Sequence, residues 1–158
     1  IYASRLKRAI KTAEEIKKMH KNAKLVKEKA LNEMSWGIWE GLKMDYIKRK
    51  YRELYKKREK DKFNFRIPNG ESPIILKNRI RKIISKIIKK SEDKTVLIVG
   101  HGGVNRTILG ILLKWSNKKI LSVRLQNASI SVINIKNNKA RMYLFNSYHH
   151  LKNGNMPY

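Results

Sequence analysis

The stretch Thr95-Val96-Leu97-Ile98-Val99-Gly100-His101-Gly102-Gly103-Val104-Asn105-Arg106 constrains the fold more than any other part of the chain. Its first half is a short apolar run rich in β-branched residues, bounded upstream by Ser91-Glu92-Asp93-Lys94, the composition of a strand buried on both faces. From Val104 to Leu113 the apolar residues fall at Val104, Ile108, Leu109, Leu112 and Leu113, a helical repeat. Between strand and helix lies Gly-His-Gly-Gly. A strand that stops where a helix starts leaves unpaired N–H groups and the positive end of a helix dipole beside the loop, and glycines let an anion approach the main chain. The expectation is a phosphate or carboxylate site with the His101 imidazole in it. The alternative is a histidine that satisfies one hydrogen bond in a tight turn, with glycines that only supply positive φ.

The 158 residues suffice for one domain with a core of its own, and no internal repeat or low-complexity linker divides them. Without cysteine there is no disulfide framework, thiolate nucleophile or zinc-thiolate cluster. No apolar run approaches the ~20 residues of a membrane span, and a cytoplasmic protein is the expectation. The formal charge of +26 draws attention to anionic partners. Yet the lysines do not form one block; Lys77, Lys82, Lys86, Lys89 and Lys90 lie on the outer face of an amphipathic segment. Solvated helix faces are therefore favoured over a nucleic-acid surface.

Along the chain, Ile1-Tyr2-Ala3 reads as the end of a strand and Ser4 as the cap of a helix with an apolar stripe at Leu6, Ile10, Ala13, Ile16 and Met19. Arg8, near the start of that helix, is either a phosphate fork or one more surface arginine. Leu25-Val26 is weak strand material. It leads into a loop, 31–41, that concentrates Trp36, Trp39, Glu33 and Glu40; aromatics gathered in a loop tend to line something, and Glu33 is a candidate general acid. Asp45 to about Lys60 has a helical pattern, and Ser72-Pro73 opens a further helix buried through Leu76, Ile80, Ile83, Ile84, Ile87 and Ile88. Beyond a polar break at 116–119, Ser129–Ile135 and Arg141–Phe145 read as a hairpin across Asn137-Asn138. The tail after it reads as polar and mobile, and its His149-His150 pair is too sparse for a metal site. Helices alternating with strands give an α/β layer fold.

Four motifs stand in one order: Ser4-Arg5-Leu6-Lys7-Arg8-Ala9 with Thr12-Ala13, Leu31-Asn32-Glu33 with Gly37-Ile38-Trp39-Glu40-Gly41, Gly70-Glu71-Ser72, and Val99-Gly100-His101-Gly102-Gly103. This order resembles the histidine phosphatase superfamily, and the Trp-Glu-Gly triplet looks more like its small phosphatase branch, which includes the α-ribazole phosphatases, than like the glycolytic mutases. The resemblance implies a three-layer α/β/α phosphoglycerate-mutase-like fold with a mostly parallel sheet. It also implies metal-free, cofactor-free hydrolysis of a small phosphorylated substrate through a phosphohistidine. Carried onto this chain, Arg8 resembles the second phosphate-binding arginine, Glu33 the proton donor and His101 the second histidine, with the Gly102 N–H at the phosphate. Ser4, Arg5 and Trp39 are expected at the substrate pocket, and residues 43–68 as a mostly helical cap over it.

The chain departs from the family pattern at Arg5, where relatives usually carry proline. A larger departure is that no Arg-His-Gly motif, with its nucleophilic histidine, stands among these residues. The expectation is an N-terminally incomplete domain, inactive as given, that lacks the family's first strand beside the one ending at His101. Two alternatives stay open: a non-catalytic relative that binds a phosphorylated ligand, and a basic nucleic-acid-binding module. Substrate identity and oligomeric state are not specified by the sequence.

Overall fold

Short parallel strands joined through helices build the body of the molecule, in a computed structural model that describes residues 1–151. In chain order these are β1 (Tyr2–Ser4), α1 (Lys7–Met19), β2 (Val26–Glu28), a 3₁₀ turn (Lys29–Leu31), a second one (Gly37–Trp39), α2 (Met44–Lys50), α3 (Arg52–Lys60), α4 (Pro73–Lys90), β3 (Ile98–Val99), α5 (Gly102–Leu112) and α6 (Asn117–Ser122). The chain closes with β4 (Ile130–Lys136) and β5 (Lys139–Ser147). β1 lies between β2 and β3, parallel to both, with Tyr2 opposite Val26 and Ile98. The tail from residue 152 onward lies outside the described residues.

Two helix faces supply most of the core. α4 buries Leu76, Ile80, Ile83, Ile84 and Ile87, positions that recur every three or four residues, against Val104 and Ile108 of α5. Tyr2 and Ile98 pack on the same cluster from the sheet, and Val96 from the segment that leads into β3. α1 contacts β1 and β3 through a face made of Ala9 and Ala13, whose small side chains allow close approach. Residues 39–67 gather a second cluster, in which Trp39, Ile47 and Ile67 are buried among Tyr51, Leu54, Tyr55 and Phe65. Among the described residues, no helix is long and apolar enough to cross a membrane.

Several sequence expectations are corrected. The stripe on α1 ends early, because Met19 is exposed. Leu6, not Ser4, occupies the cap position of α1, and the Ser4 hydroxyl accepts from the Leu6 N–H while serving the site below. Ser72 precedes Pro73 as expected, but its buried hydroxyl caps nothing. The helical stretch 45–60 is broken at Tyr51 into α2 and α3. The polar break after Trp115 contains α6, which Ser116 caps by accepting from the Lys119 N–H.

β3 is shorter than its apolar run, two residues against four, and among the described residues it pairs only with β1. The hairpin β4–β5 forms a sheet of its own, turning through Asn137 and Asn138 at φ 51° and 58°, the left-handed pair that a tight hairpin requires. Val132, Tyr143, Leu144 and Phe145 are exposed on that hairpin.

Candidate active site

Parallel register puts the carboxyl ends of β1 and β3 side by side, and in open α/β sheets that end is where loops converge on ligands. β1 ends at Ser4 and runs on to Arg8 in the first turn of α1. β3 runs on to His101, which caps α5. The two loops are therefore neighbours in space although 93 residues separate Arg8 from His101.

A directed chain of hydrogen bonds joins them. Arg8 Nε donates to His101 Nδ1 at 3.2 Å, so that nitrogen carries the lone pair. His101 Nε2 lies 2.8 Å from Ser4 Oγ, whose single proton goes to Asn32 Oδ1 at 3.0 Å. Nε2 must then be the donor, and His101 is the neutral Nε2–H tautomer. Asn32 is oriented in turn by the Arg5 N–H at 2.9 Å. Burial, with the positive charge of Arg8, pushes the His101 imidazole below its usual pKa, while the Glu33 carboxylate opposes the shift.

Glu33 reaches the same place from the loop after β2. Its Oε2 accepts from the Gly103 N–H at 3.0 Å, in the first turn of α5, and its Oε1 from the Met34 N–H at 2.9 Å. Helix N-termini favour anions, and this carboxylate occupies part of one. A Cβ on Gly103 would stand 2.5 Å from Glu33 Oε1, so a larger residue there would push the carboxylate aside. Gly102 is exposed, nothing lies near its Cβ position, and its N–H has no partner among the described residues. Arg8 and Glu33 line one open cleft of about 750 Å³, together with Leu6, Trp36 and Asn69.

The other expected pocket residues fare differently. Ser4 is fully buried behind His101, where it orients the ring and does not line the cleft. Arg5 is exposed, its Nε directed at the Lys27 carbonyl at 3.4 Å. Trp39 is 2 % exposed and stacks 6.1 Å from Phe65 in the second core cluster, so the pocket tryptophan is Trp36, with Arg58 5.6 Å above its ring. Among residues given no role from sequence, Asn32 completes the hydrogen-bond chain. Arg106 also lies in the field of Glu33; burial pushes its guanidinium down, the Glu33 carboxylate opposing and Arg58 adding to the shift. Arg106 follows Gly103 by one helical turn, a spacing that could have pointed to it.

This arrangement can hold a tetrahedral anion. A guanidinium and a carboxyl group line one opening, and beside them stand the imidazole bonded to Arg8 and the free Gly102 N–H next to the amide that Glu33 engages.

A family profile described as the histidine phosphatase superfamily (branch 1) matches residues 1–147. Phosphoserine phosphatase 1 of Hydrogenobacter thermophilus is 30% identical over 151 residues, which cover 96% of this chain and 71% of that protein. The 6-phosphofructo-2-kinase/fructose-2,6-bisphosphatase of Gallus gallus is 30% identical over 124 residues, 78% of this chain and 25% of that one. Among solved structures, the α-ribazole phosphatase of Shigella flexneri superposes with a TM-score of 0.82 at 25% identity, covering 92% of this chain and 72% of its own.

Proposed function

The chain belongs to the histidine phosphatase superfamily, branch 1, and on that premise we propose that it is the larger part of a phosphomonoester hydrolase that works through a phosphohistidine. The observation that carries the reading is that Arg8 and Glu33 line one cleft and that His101 is hydrogen-bonded to Arg8 beside it, although the three come from separate parts of the chain. In the proposed reaction Arg8 and the Gly102 N–H hold the phosphoryl oxygens, and His101, whose Nε2–H stays with Ser4, joins them by taking up a proton at Nδ1. A histidine from a segment outside these 158 residues attacks phosphorus as the bond to the leaving oxygen breaks. Glu33 gives that oxygen its proton and then accepts one from the water that hydrolyses the phosphohistidine.

Two features support a nucleophile from elsewhere. The other histidines are badly situated: His20 follows the far end of α1, about 18 Å along the helix from Arg8 at 1.5 Å per residue, and His149 and His150 are exposed beyond β5. The second feature is the edge of β3 opposite β1, which has no partner strand among the described residues. A parallel strand laid there would end next to His101 and would cover Ile98. Residues 43–68 are proposed as the cap, tied to the cleft residue Trp36 by Arg58 over its ring. The substrate is a small phosphomonoester.

The test has two arms. Inorganic phosphate should bind the 158-residue chain, followed by ³¹P line broadening or calorimetry, and Arg8→Ala should weaken it about tenfold or more. The chain extended upstream through a strand ending in Arg-His-Gly should hydrolyse phosphomonoesters, and His101→Ala should remove most of that turnover. Phosphate binding with an inert extended chain would instead establish a non-catalytic phosphate-ligand binder. No phosphate binding at all would sink both readings.

A further inference from the structure

Glu33 does not hold its place through its own loop alone. The loop from Ala30 to Ser35 has little regular structure beyond the 3₁₀ turn at its start, yet a proton donor must be fixed to within a fraction of an ångström. One side chain from the middle of α4 spans it. Arg79 Nη1 donates to the Ala30 carbonyl at 2.8 Å, and Nη2 points at the Glu33 carbonyl at 3.4 Å, so a single guanidinium reaches both sides of the residue pair Leu31-Asn32. Its remaining donors grip Glu71, Nε to Oε1 at 2.8 Å and Nη2 to Oε2 at 2.7 Å.

Glu71 carries the grip to the other end of the loop. Its Oε2 accepts from the Ser35 N–H at 3.1 Å, and its own N–H donates back to the Ser35 carbonyl at 2.9 Å. Arg79 and Glu71 are only 24% and 18% exposed in their side chains, which makes the pair far less screened than the ion pairs on the helix faces. We propose that Arg79 and Glu71 are positioning residues for the proton donor, a clamp that fixes the main chain on both sides of Glu33 and thereby aims its carboxylate at the N-terminus of α5. Neither touches the cleft that Arg8 lines. The inference rests on the phosphatase reading only for what Glu33 does; the clamp itself is a statement about where Glu33 sits.

The two amides that Glu33 engages, Met34 and Gly103, report on that placement without any catalysis. Amide hydrogen exchange is therefore measured on the 158-residue chain as Arg79→Lys, which keeps the charge but loses the fork, and as Glu71→Gln. Both variants should speed exchange at Met34 and Gly103 by about tenfold or more while Ile84 and Ile108, in the core of α4 and α5, keep their rates. In Arg79→Ala, millimolar guanidinium should restore protection, because a cavity of about 570 Å³ borders Arg79, Glu71 and Glu33 and gives it entry. Parent-like exchange at Met34 and Gly103 overturns the proposal. Equal acceleration at Ile84 and Ile108 also overturns it, by making Arg79 a residue of general stability. Failure of phosphate to bind any of these proteins counts against the phosphatase reading and leaves the exchange result to decide the clamp.

Discussion

His101 is held neutral by its surroundings, and that has a consequence for stability. The unfolded chain takes up a proton on this imidazole as pH falls through about 6.5; the folded one resists, because the ring is buried and the Arg8 charge stands at Nδ1. Between the two values protons favour the unfolded chain, so this residue's contribution is full above neutral pH and is lost as pH drops below about 6.5. Urea midpoints at pH 7.5 and pH 5.5 should show the loss, and His101→Gln should flatten it; an unchanged difference would mean the slope comes from other groups. At this scale the sequence was partly legible. His101, Arg8 and Glu33 stand out because a glycine-framed loop, a helix start and a lone carboxylate are local signals. Trp36 and Trp39 are not separable locally, since which of two neighbouring tryptophans turns inward depends on Phe65 and Ile67, brought in from a loop nearly thirty residues away. Arg79 was equally hidden among the basic residues of α4, and only its four acceptors distinguish it from the lysines around it.

Among the elements, α4 was the most legible and matters most to the site. Its isoleucine repeat names its buried face, and the same helix carries Arg79 one position before the fully buried Ile80. A void at Ile80 therefore weakens the core and loosens the clamp together. Ile80→Ala should cost about 3 kcal/mol, within the range for truncating a buried isoleucine, measured by urea unfolding; a loss near zero would mean that α4 does not anchor the core. Caps were less legible than helices. Ser4 and Ser72 have the right residue type, but Ser4 lies two residues before the cap position and is engaged by tertiary partners, and Ser72, at the cap position, is buried without any. α6 was missed because its six residues are too few to show a repeat. β3 was overestimated because apolar composition fixes burial, whereas strand assignment needs a partner on the ladder, and β3 has one on a single side.

For the molecule as a whole, two opposing terms act on the same surface. The charge of +26 makes every chain repel its copies, and the exposed ion pairs, such as Lys18–Glu15 and Lys56–Glu53, neutralise little of it. Against this stand a β3 edge unpaired among the described residues and a separate hairpin with Val132, Tyr143, Leu144 and Phe145 in water, the features through which sheets recruit other chains. Repulsion between surfaces reaches only about a Debye length, roughly 10 Å at 0.1 M salt and 3 Å at 1 M, whereas strand pairing and apolar contact act at touching distance and are not screened. The balance should therefore tip with ionic strength: in sedimentation velocity the 158-residue chain stays monomeric at low salt and associates as salt is raised. Val132 and Leu144 face each other across the hairpin, so Val132→Lys and Leu144→Lys should each suppress the association. The chain extended by the proposed strand should suppress it too, since that segment pairs the β3 edge from within. A chain that remains monomeric in molar salt would mean that these surfaces do not act as open strand sites, and would remove the edge of β3 as support for a strand supplied from outside these residues.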